Sequence, residues 1–167
     1  MTNSENTKLI PLTQGQFAIV DACDYEWLSQ WKWHFSQGYA ARHVYQPKSG
    51  VKRHNVMMHR AINQTPDGLD TDHINGDKLN NRRCNLRSCT KQQNQFNASP
   101  RTKGKSKYKG VYLLTCHKKY QYWIARININ GKRKHLGCFK MELDAALAYN
   151  EAAIKYYGEF ARLNECG

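Results

Sequence analysis

The stretch TDHINGDKLNNRRCNLRSCTKQQN, residues 71–94, decides the fold of the first part of this chain. Its Asn75–Gly76 pair favours a tight turn. We predict a strand that ends at His73, a connecting loop, a second strand at NLRSC (residues 85–89) and a helix that begins at Thr90. Threonine is a favoured N-cap, and a glutamine three residues later completes the pattern of a capping box. The segment therefore predicts a compact ββα hairpin.

This hairpin carries side chains suited to cutting a phosphodiester bond. Asp72 and His73 are neighbours on a strand, so their side chains leave opposite faces, while Asn94 lies one turn into the helix. One carboxylate and one amide oxygen suit a hard divalent cation, and a histidine with a pKa near neutrality can take a proton from water. Asn85 is a neutral amide that can hold a neighbouring group in place. The open alternative is that all of these are ordinary turn residues.

Spacing excludes two other kinds of metal site. A calcium loop that starts at Asp70 would need glycine at position 75 and glutamate at position 81, and both are asparagine. The six cysteines contain no C-x2-C pair of the zinc-ribbon kind. We therefore expect reduced thiols in an intracellular protein.

The segment from MHRAI (residues 58–62) to Asn94 resembles the HNH endonucleases, the ββα-metal nucleases of phages and mobile introns. The resemblance implies that His73 is the general base, that Asp72 and Asn94 are the ligands of one Mg²⁺ or Mn²⁺ ion, and that Asn85 is the structural middle asparagine. A final asparagine in place of histidine is typical of the H-N-N branch, which is associated with homing enzymes.

Several basic residues near this motif are candidates to contact DNA. His59 and Arg60 fit a recurring MHR element of the same branch, and we interpret them as supporting or phosphate-contacting. Arg82, Arg83 and Arg87 could balance phosphate charge. A solvated basic face is the alternative for these three arginines.

The charge of the chain favours a polyanionic partner. Among 167 residues, 26 Lys and Arg stand against 13 Asp and Glu, a net charge of +13. Residues 1–95 hold 12 basic and 8 acidic residues, whereas residues 96–167 hold 14 and 5. Neither a basic amphipathic helix nor an apolar run of about 18 residues is visible, which favours nucleic acid over a membrane. We expect a cytoplasmic protein that acts on phage or host DNA, because a secretion signal is not visible either.

The chain is predicted to contain two domains. The basic stretch NASPRTKGKSKYK, residues 97–109, contains no aliphatic side chain larger than alanine and cannot form a core. We place a linker at residues 97–107, between a nuclease domain at 1–96 and a second domain at 108–167. The linker either stays flexible or orders along phosphates when DNA binds.

The fold class is predicted as α+β. The N-terminal part reads mostly as strands, at GQFAIVD, WKWHF, GYAARHVY and VKRHNVMMH, with a hairpin turn at QPKSG. We interpret the aromatic side chains of WKWHF as core residues. A base-stacking platform is the alternative.

The C-terminal part predicts a three-stranded antiparallel sheet packed on one helix. KGVYLLTCH, KYQYWIARININ and KRKHLGCF read as strands, and the last two are joined at Asn130–Gly131, a strong hairpin signal. The helix MELDAALAYNEAAIKYYG ends at Gly158. The apolar side chains expected on its inner face are Leu143, Ala146, Leu147, Ala153, Ile154 and Tyr157. Alternation in the middle strand turns Trp123, Ala125, Ile127 and Ile129 inward and Arg126, Asn128 and Asn130 outward.

Residues 108–164 resemble the plant ethylene-response-factor (APETALA-type) DNA-binding domain. The matching segments are YKGVY, WIARI, GKRKHLGCF, DAALAYNEAA and GEFARLN. The resemblance implies that the sheet lies in the major groove of double-stranded DNA. The implied contact residues are Lys109, Tyr112, Arg126, Asn128, Arg133 and His135. Three of them, Lys109, Tyr112 and His135, differ from the residues usual in plants, so the plant target sequence does not transfer.

These patterns predict a metal-dependent, site-directed DNA endonuclease, of the homing type, that acts as a monomer or homodimer and uses no small-molecule substrate. One alternative is a sequence-specific DNA-binding regulator with an inactive nuclease site. A nonspecific nuclease is a further alternative, although such an enzyme needs no dedicated readout sheet.

Overall fold

The computed structural model describes residues 6–45, 54–100, 104–116 and 120–166. The chain divides into two compact units, Met1–Asn94 and Gln95–Gly167. The described residues contain small antiparallel sheets and four α-helices. This confirms the α+β class. In the described parts, none of the helices is long and apolar enough to cross a membrane. The predicted hairpin turn QPKSG lies outside the described residues.

The first unit begins with two small antiparallel sheets. The first sheet contains β1 (Thr7–Pro11) and β2 (Phe17–Asp21), and helix α1 (Ala22–Leu28) follows it directly. The second sheet has the strand order β3-β4-β5, and helix α2 (Met58–Asn63) follows its last strand. The strands of this sheet are β3 (His34–Ser36), β4 (Tyr39–Val44) and β5 (His54–Met57).

The predicted ββα hairpin is present. Strand β6 (Asp70–His73) pairs antiparallel with β7 (Leu86–Cys89), and helix α3 (Lys91–Asn97) follows. The capping box is formed in both directions. The backbone N–H of Gln93 donates to Oγ1 of Thr90 at 3.2 Å, and that of Thr90 donates to Oε1 of Gln93 at 2.8 Å.

The lead-in segment contains more helix than the sequence indicated. Helix α1 lies in a segment to which the sequence assigned no element, and α2 replaces the last two residues of the expected strand VKRHNVMMH. WKWHF contributes only its last two residues to a strand. Trp33 is buried in the core of the first unit, where its Nε1–H donates to the carbonyl of Leu28 at 2.8 Å. Trp31 is 37% exposed and meets Trp27 edge-on. Strand propensity in aromatic residues was overridden here by packing around Leu28.

The second unit contains a three-stranded antiparallel sheet and one long helix, as predicted. The sheet has the order β10-β9-β8, from strands β8 (Val111–Cys116), β9 (Tyr120–Ile129) and β10 (Lys132–Phe139). Asn130 and Gly131 connect β9 and β10 with φ of 50° and 78°. Positive φ at both turn residues is the geometry for which an Asn-Gly hairpin is favoured.

Helix α4 (Glu142–Tyr157) packs on this sheet through four alanines and two tyrosines. Its buried residues are Ala145, Ala146, Tyr149, Ala152, Ala153 and Tyr157. The expectation that Leu143, Leu147 and Ile154 face the sheet was wrong, because they are 39%, 46% and 58% exposed. Gly110 leaves room for the ring of Tyr149, with which a Cβ atom at this position would clash.

Both ends of the second unit are fastened to its core. The side chain of Asn164 bonds the backbone of Lys109 in both directions, at 2.6 and 3.1 Å. The ring of Phe96 stacks on Tyr157 with centroids 3.7 Å apart. Phe96 thus belongs by packing to the second unit, although the sequence placed it at the end of the first. The predicted linker packs in part, since Ser106 is buried and donates to Glu142.

Candidate active site

The predicted metal ligand Asp72 lies in the middle of the ββα hairpin, directly opposite Arg87. Nε and Nη2 of Arg87 both donate to Oδ2 of Asp72, at 2.9 and 2.8 Å. The two side chains are only 6% and 13% exposed. Strand pairing therefore holds the carboxylate in a fixed, largely desolvated position.

The other predicted ligand, Asn94, lies on the same face of the hairpin as Asp72. Asp70 and Asp72 are two residues apart on β6, so their side chains share a face. Nδ2 of Asn94 donates to Oδ2 of Asp70 at 3.4 Å. The amide oxygen, which this bond does not engage, is the atom that would bind a metal. A carboxylate and an amide oxygen fit Mg²⁺ or Mn²⁺, which prefer oxygen ligands.

Cys89 lies on the same face, opposite Asp70 in the strand pairing. Burial, together with the negative charges of Asp72 and Asp70, raises the pKa of the Cys89 thiol to about 11. The thiol is therefore protonated near neutral pH and donates to the carbonyl of Asp70 at 3.6 Å. Its environment is that of a packed structural cysteine, as expected from the sequence.

The predicted base His73 points to the opposite face and is buried. Its Nε2 lies 3.2 Å from Oδ1 of Asn81. Burial lowers the pKa of His73, while the contact with Asn81 and the charge of Asp72 partly oppose that effect. A neutral imidazole is the form of histidine that can accept a proton.

A second histidine and a tyrosine pack around His73. The rings of His59 and His73 have centroids 5.0 Å apart, and Tyr39 lies 5.1 Å from His59. Burial lowers the pKa of His59 to about 3, with smaller contributions from the charges of His73 and Arg60. Within the described residues, Nδ1 of His59 has no hydrogen-bond partner. His59 therefore supports His73 as a neutral, packed ring.

Asn85 fastens the turn that follows His73. Its Oδ1 accepts from the backbone N–H of Asn75 at 3.0 Å, and its Nδ2 donates to the carbonyl of Asn80 at 2.8 Å. The side chain is 7% exposed. These contacts fit the structural role that the resemblance implies for this asparagine.

Comparison with known proteins adds to this geometry. The model of the HNH endonuclease family matches residues 51–96, a range that contains the ββα hairpin up to Phe96 in α3. The chain is also 30% identical over 159 residues to an uncharacterized HNH endonuclease of Acanthamoeba polyphaga mimivirus, an alignment that covers 91% of this chain and 76% of the relative. The chain belongs to the HNH endonuclease family. It is therefore a DNA endonuclease, and members of this family generally use a divalent metal ion.

Three arginines predicted to contact DNA make contacts within the HNH endonuclease itself. Arg87 pairs with Asp72, as described above. Nη1 of Arg60 donates to the carbonyl of Leu69 at 2.8 Å, just before β6. Arg83 binds the buried Asp24 through two bonds of 2.8 and 2.6 Å. A DNA contact by any of them stays a prediction, whereas a role in positioning the hairpin is visible.

The exposed face of the C-terminal sheet presents five of the six residues predicted to contact DNA. Strand register puts Arg133 opposite Asn128 and His135 opposite Arg126, so these four share a face. The guanidinium of Arg126 lies 5.9 Å from the centroid of the exposed Tyr112 ring. All five side chains are exposed.

Two features of this sheet differ from the expected pattern. Nζ of Lys109, the sixth predicted contact, donates to the carbonyls of Phe96 and Ala98 at 2.6 and 2.7 Å, around the end of α3. Ile124 is buried although strand alternation puts it on the face of Arg126. The exposed face is thus basic at its centre but not wholly polar.

The sequence reading of the HNH endonuclease missed two residues of the site, Asn81 and Asp70. Asn81 is fully buried and contacts His73. The adjacent asparagines of LNNRR were a signal, but spacing alone does not tell which one turns inward. Asp70 could have been found by alternation, because it precedes Asp72 by two residues.

Proposed function

We propose that this HNH endonuclease is a site-directed, homing-type enzyme. One Mg²⁺ or Mn²⁺ ion would be held by Asp72 and Asn94, and His73 would act as general base. The observation that carries the proposal is the ββα hairpin, in which Asp70 links Asn94 to the face of Asp72 while neutral His73 lies at the adjacent position. The cation, when bound, supplies Lewis acidity at a phosphate oxygen.

The protein's own groups account for the proton transfer. The carbonyl of Leu79 accepts from Nδ2 of Asn81 at 3.1 Å, which leaves Oδ1 of Asn81 as an acceptor toward His73. Nε2 of His73 is then the protonated nitrogen, and Nδ1 carries the lone pair that takes the proton from the attacking water. Asn85 holds the following turn so that the ring keeps its position. Water attack leaves 5′-phosphate and 3′-hydroxyl ends.

The C-terminal unit is proposed as an ethylene-response-factor-type DNA-binding domain at residues 108–167, preceded by a linker at 97–107 and a nuclease domain at 1–96. Its exposed face carries Arg126 and Arg133, which suit guanine, and Asn128, which suits adenine. Double-stranded DNA would be positioned by this unit and cut by the hairpin. A site-directed nuclease needs both functions, recognition of a sequence and cleavage near it.

A plasmid-nicking assay tests the proposed chemistry. Wild-type protein is incubated with supercoiled plasmid and Mg²⁺ or Mn²⁺, beside His73→Ala. His43→Ala, an exposed histidine on β4, is the matched control. We expect His73→Ala to bind DNA normally and to lose about 10²–10⁴-fold in nicking rate, while the control nicks like wild type. Normal nicking by His73→Ala would refute the assigned base, and DNA binding without nicking by wild type would favour the regulator.

Homing-type specificity has its own test. The protein is incubated with a randomised duplex library, and breaks are mapped on both strands. Cleavage clustered at one motif is expected, with affinity for that motif retained at moderate salt. Cleavage spread over all sequences, together with binding that collapses as salt rises, would show a nonspecific nuclease instead.

A further inference from the structure

In the ion pair of Asp72 and Arg87, a guanidinium that is always charged lies against a proposed metal ligand. We infer that Arg87 makes cation binding at Asp72 depend on DNA, so that the cation and a phosphate bind this site cooperatively. The inference rests on the proposed cation site of Asp72 and Asn94. It assigns Arg87 a coupling role in addition to a structural one.

The geometry of the pair puts a guanidinium charge against the carboxylate that would bind the cation. Both donors of Arg87 converge on Oδ2 of Asp72, at 2.9 and 2.8 Å. An arginine side chain does not lose its charge at any pH that the protein survives. The two side chains are 13% and 6% exposed, so little solvent screens a second positive charge brought to the same carboxylate. A divalent cation at Asp72 is therefore repelled by Arg87.

The charges on this face of the hairpin sum to zero only when cation and DNA are both present. Asp70, Asp72 and Arg87 together carry −1. A divalent cation alone raises the sum to +1, and a phosphodiester alone lowers it to −2. With both bound the sum is zero. Because uncompensated charge is costly where water is scarce, each ligand favours the other, and the coupling is reciprocal.

Arg87 has a suitable second partner once the phosphate arrives. A guanidinium forms paired hydrogen bonds with phosphate as well as with carboxylate. Its strand neighbour Asp72 is then released to the cation without leaving the arginine unpaired. The strand pairing of β6 and β7 holds both backbones, so the exchange is a movement of the Arg87 side chain.

Titration with Mn²⁺ tests this coupling. Free Mn²⁺ is followed by electron paramagnetic resonance in a His73→Ala background, which prevents cutting, with and without plasmid DNA. We expect DNA to tighten Mn²⁺ binding by about 10-fold or more. We expect Arg87→Met to tighten Mn²⁺ binding without DNA by a similar factor and to reduce the effect of DNA to less than about 3-fold. The methionine keeps the apolar stem of arginine.

Matched variants make the titration decisive. Lys8→Met removes a positive charge that pairs with Glu26 instead, and should behave like the His73→Ala parent. Arg87→Gln is a second neutral variant in case Arg87→Met does not fold, with the same expected result. Weaker Mn²⁺ binding by either neutral variant, or an unchanged effect of DNA, would overturn the inference. Asp72→Asn tests the cation site separately from the role of Arg87. If this variant binds Mn²⁺ as tightly as its parent, the proposed cation site is wrong. If it loses Mn²⁺ binding, the site stands, and the Arg87 variants alone decide the coupling.

Discussion

Nε2 of His73 lies 3.2 Å from Oδ1 of Asn81, and Asn81 is itself held by the bond from its Nδ2 to the carbonyl of Leu79. This short relay starts in a backbone carbonyl and ends on the imidazole. Because each hydrogen bond fixes the next donor, the relay selects one tautomer of His73. The sequence marks Asp72 and His73 as a pair, but the residue that orients the imidazole comes from the loop between β6 and β7.

The relay predicts the effect of removing Asn81. Asn81→Ala leaves the ring of His73 without its orienting acceptor, so we expect kcat to fall by about 10- to 100-fold. KM for DNA and the affinity for Mn²⁺ should stay near wild type, because neither DNA nor cation contacts this side chain in the proposed scheme. Single-turnover cleavage of plasmid DNA measures the effect. An unchanged kcat would show that Asn81 only fills space.

Substitutions on the exposed face of the C-terminal sheet should weaken DNA binding. Arg126→Ala and Arg133→Ala should each weaken DNA binding by about 1–3 kcal/mol if they read bases. If they bind phosphates instead, the slope of log affinity against log salt should decrease by about one for each arginine removed. Fluorescence anisotropy across a salt series measures both. Lys134→Ala is the matched control, because Nζ of Lys134 donates to the hydroxyl of Tyr156 at 2.8 Å. Equal losses in control and test variants would indicate bulk charge alone.

Arg83 provides a prediction about stability. Arg83→Met leaves the carboxylate of Asp24, which is 2% exposed, without its bidentate partner. We expect the free energy of unfolding of the first unit to fall by about 1–3 kcal/mol. Lys8→Met breaks an exposed pair with Glu26 and should cost less than about 0.5 kcal/mol. Denaturant unfolding followed by tryptophan fluorescence compares the two. If Arg83→Met matched Lys8→Met in stability but bound DNA more weakly, Arg83 would be a DNA contact instead.

His59 predicts how stability depends on pH. Its folded pKa is about 3, below the ordinary 6.5, so below pH 6.5 the unfolded chain takes up a proton that the folded chain does not. Stability therefore falls as the pH drops from about 6.5 toward 3, by about 2 kcal/mol between pH 6.5 and pH 5 for this group. His59→Phe keeps a packed ring and removes this contribution. Unfolding curves at pH 7 and pH 5 should show a smaller acid loss in the variant; an equal loss would contradict the assignment.

Much of the fold follows from local sequence rules. The Asn130–Gly131 turn and the strands beside it were readable because only a few residue types adopt positive φ without strain. The capping box at Thr90 and Gln93 located the helix start, since it depends on residues three apart in the chain. These features involve near neighbours, and a single sequence contains the whole signal.

The features that were missed depend on distant parts of the chain. Helix α1 has only seven residues, too few for a clear helical pattern in the sequence. The outward direction of Leu147 on α4 became clear only from the alanines and tyrosines that the helix buries instead. Likewise, the pairing of Arg83 with Asp24 joins residues 59 positions apart. Sequence can supply the charges of such pairs, but tertiary packing decides their partners.

The most direct test of the account is the rate at which Asp72→Asn nicks supercoiled plasmid in Mg²⁺, measured beside wild type at equal DNA occupancy. The substitution keeps the size of the side chain and removes the charge that the cation requires. We predict a loss of at least about 10³-fold in rate, with the fold retained. Nicking by Asp72→Asn at the wild-type rate would contradict the assignment of this hairpin as the catalytic centre.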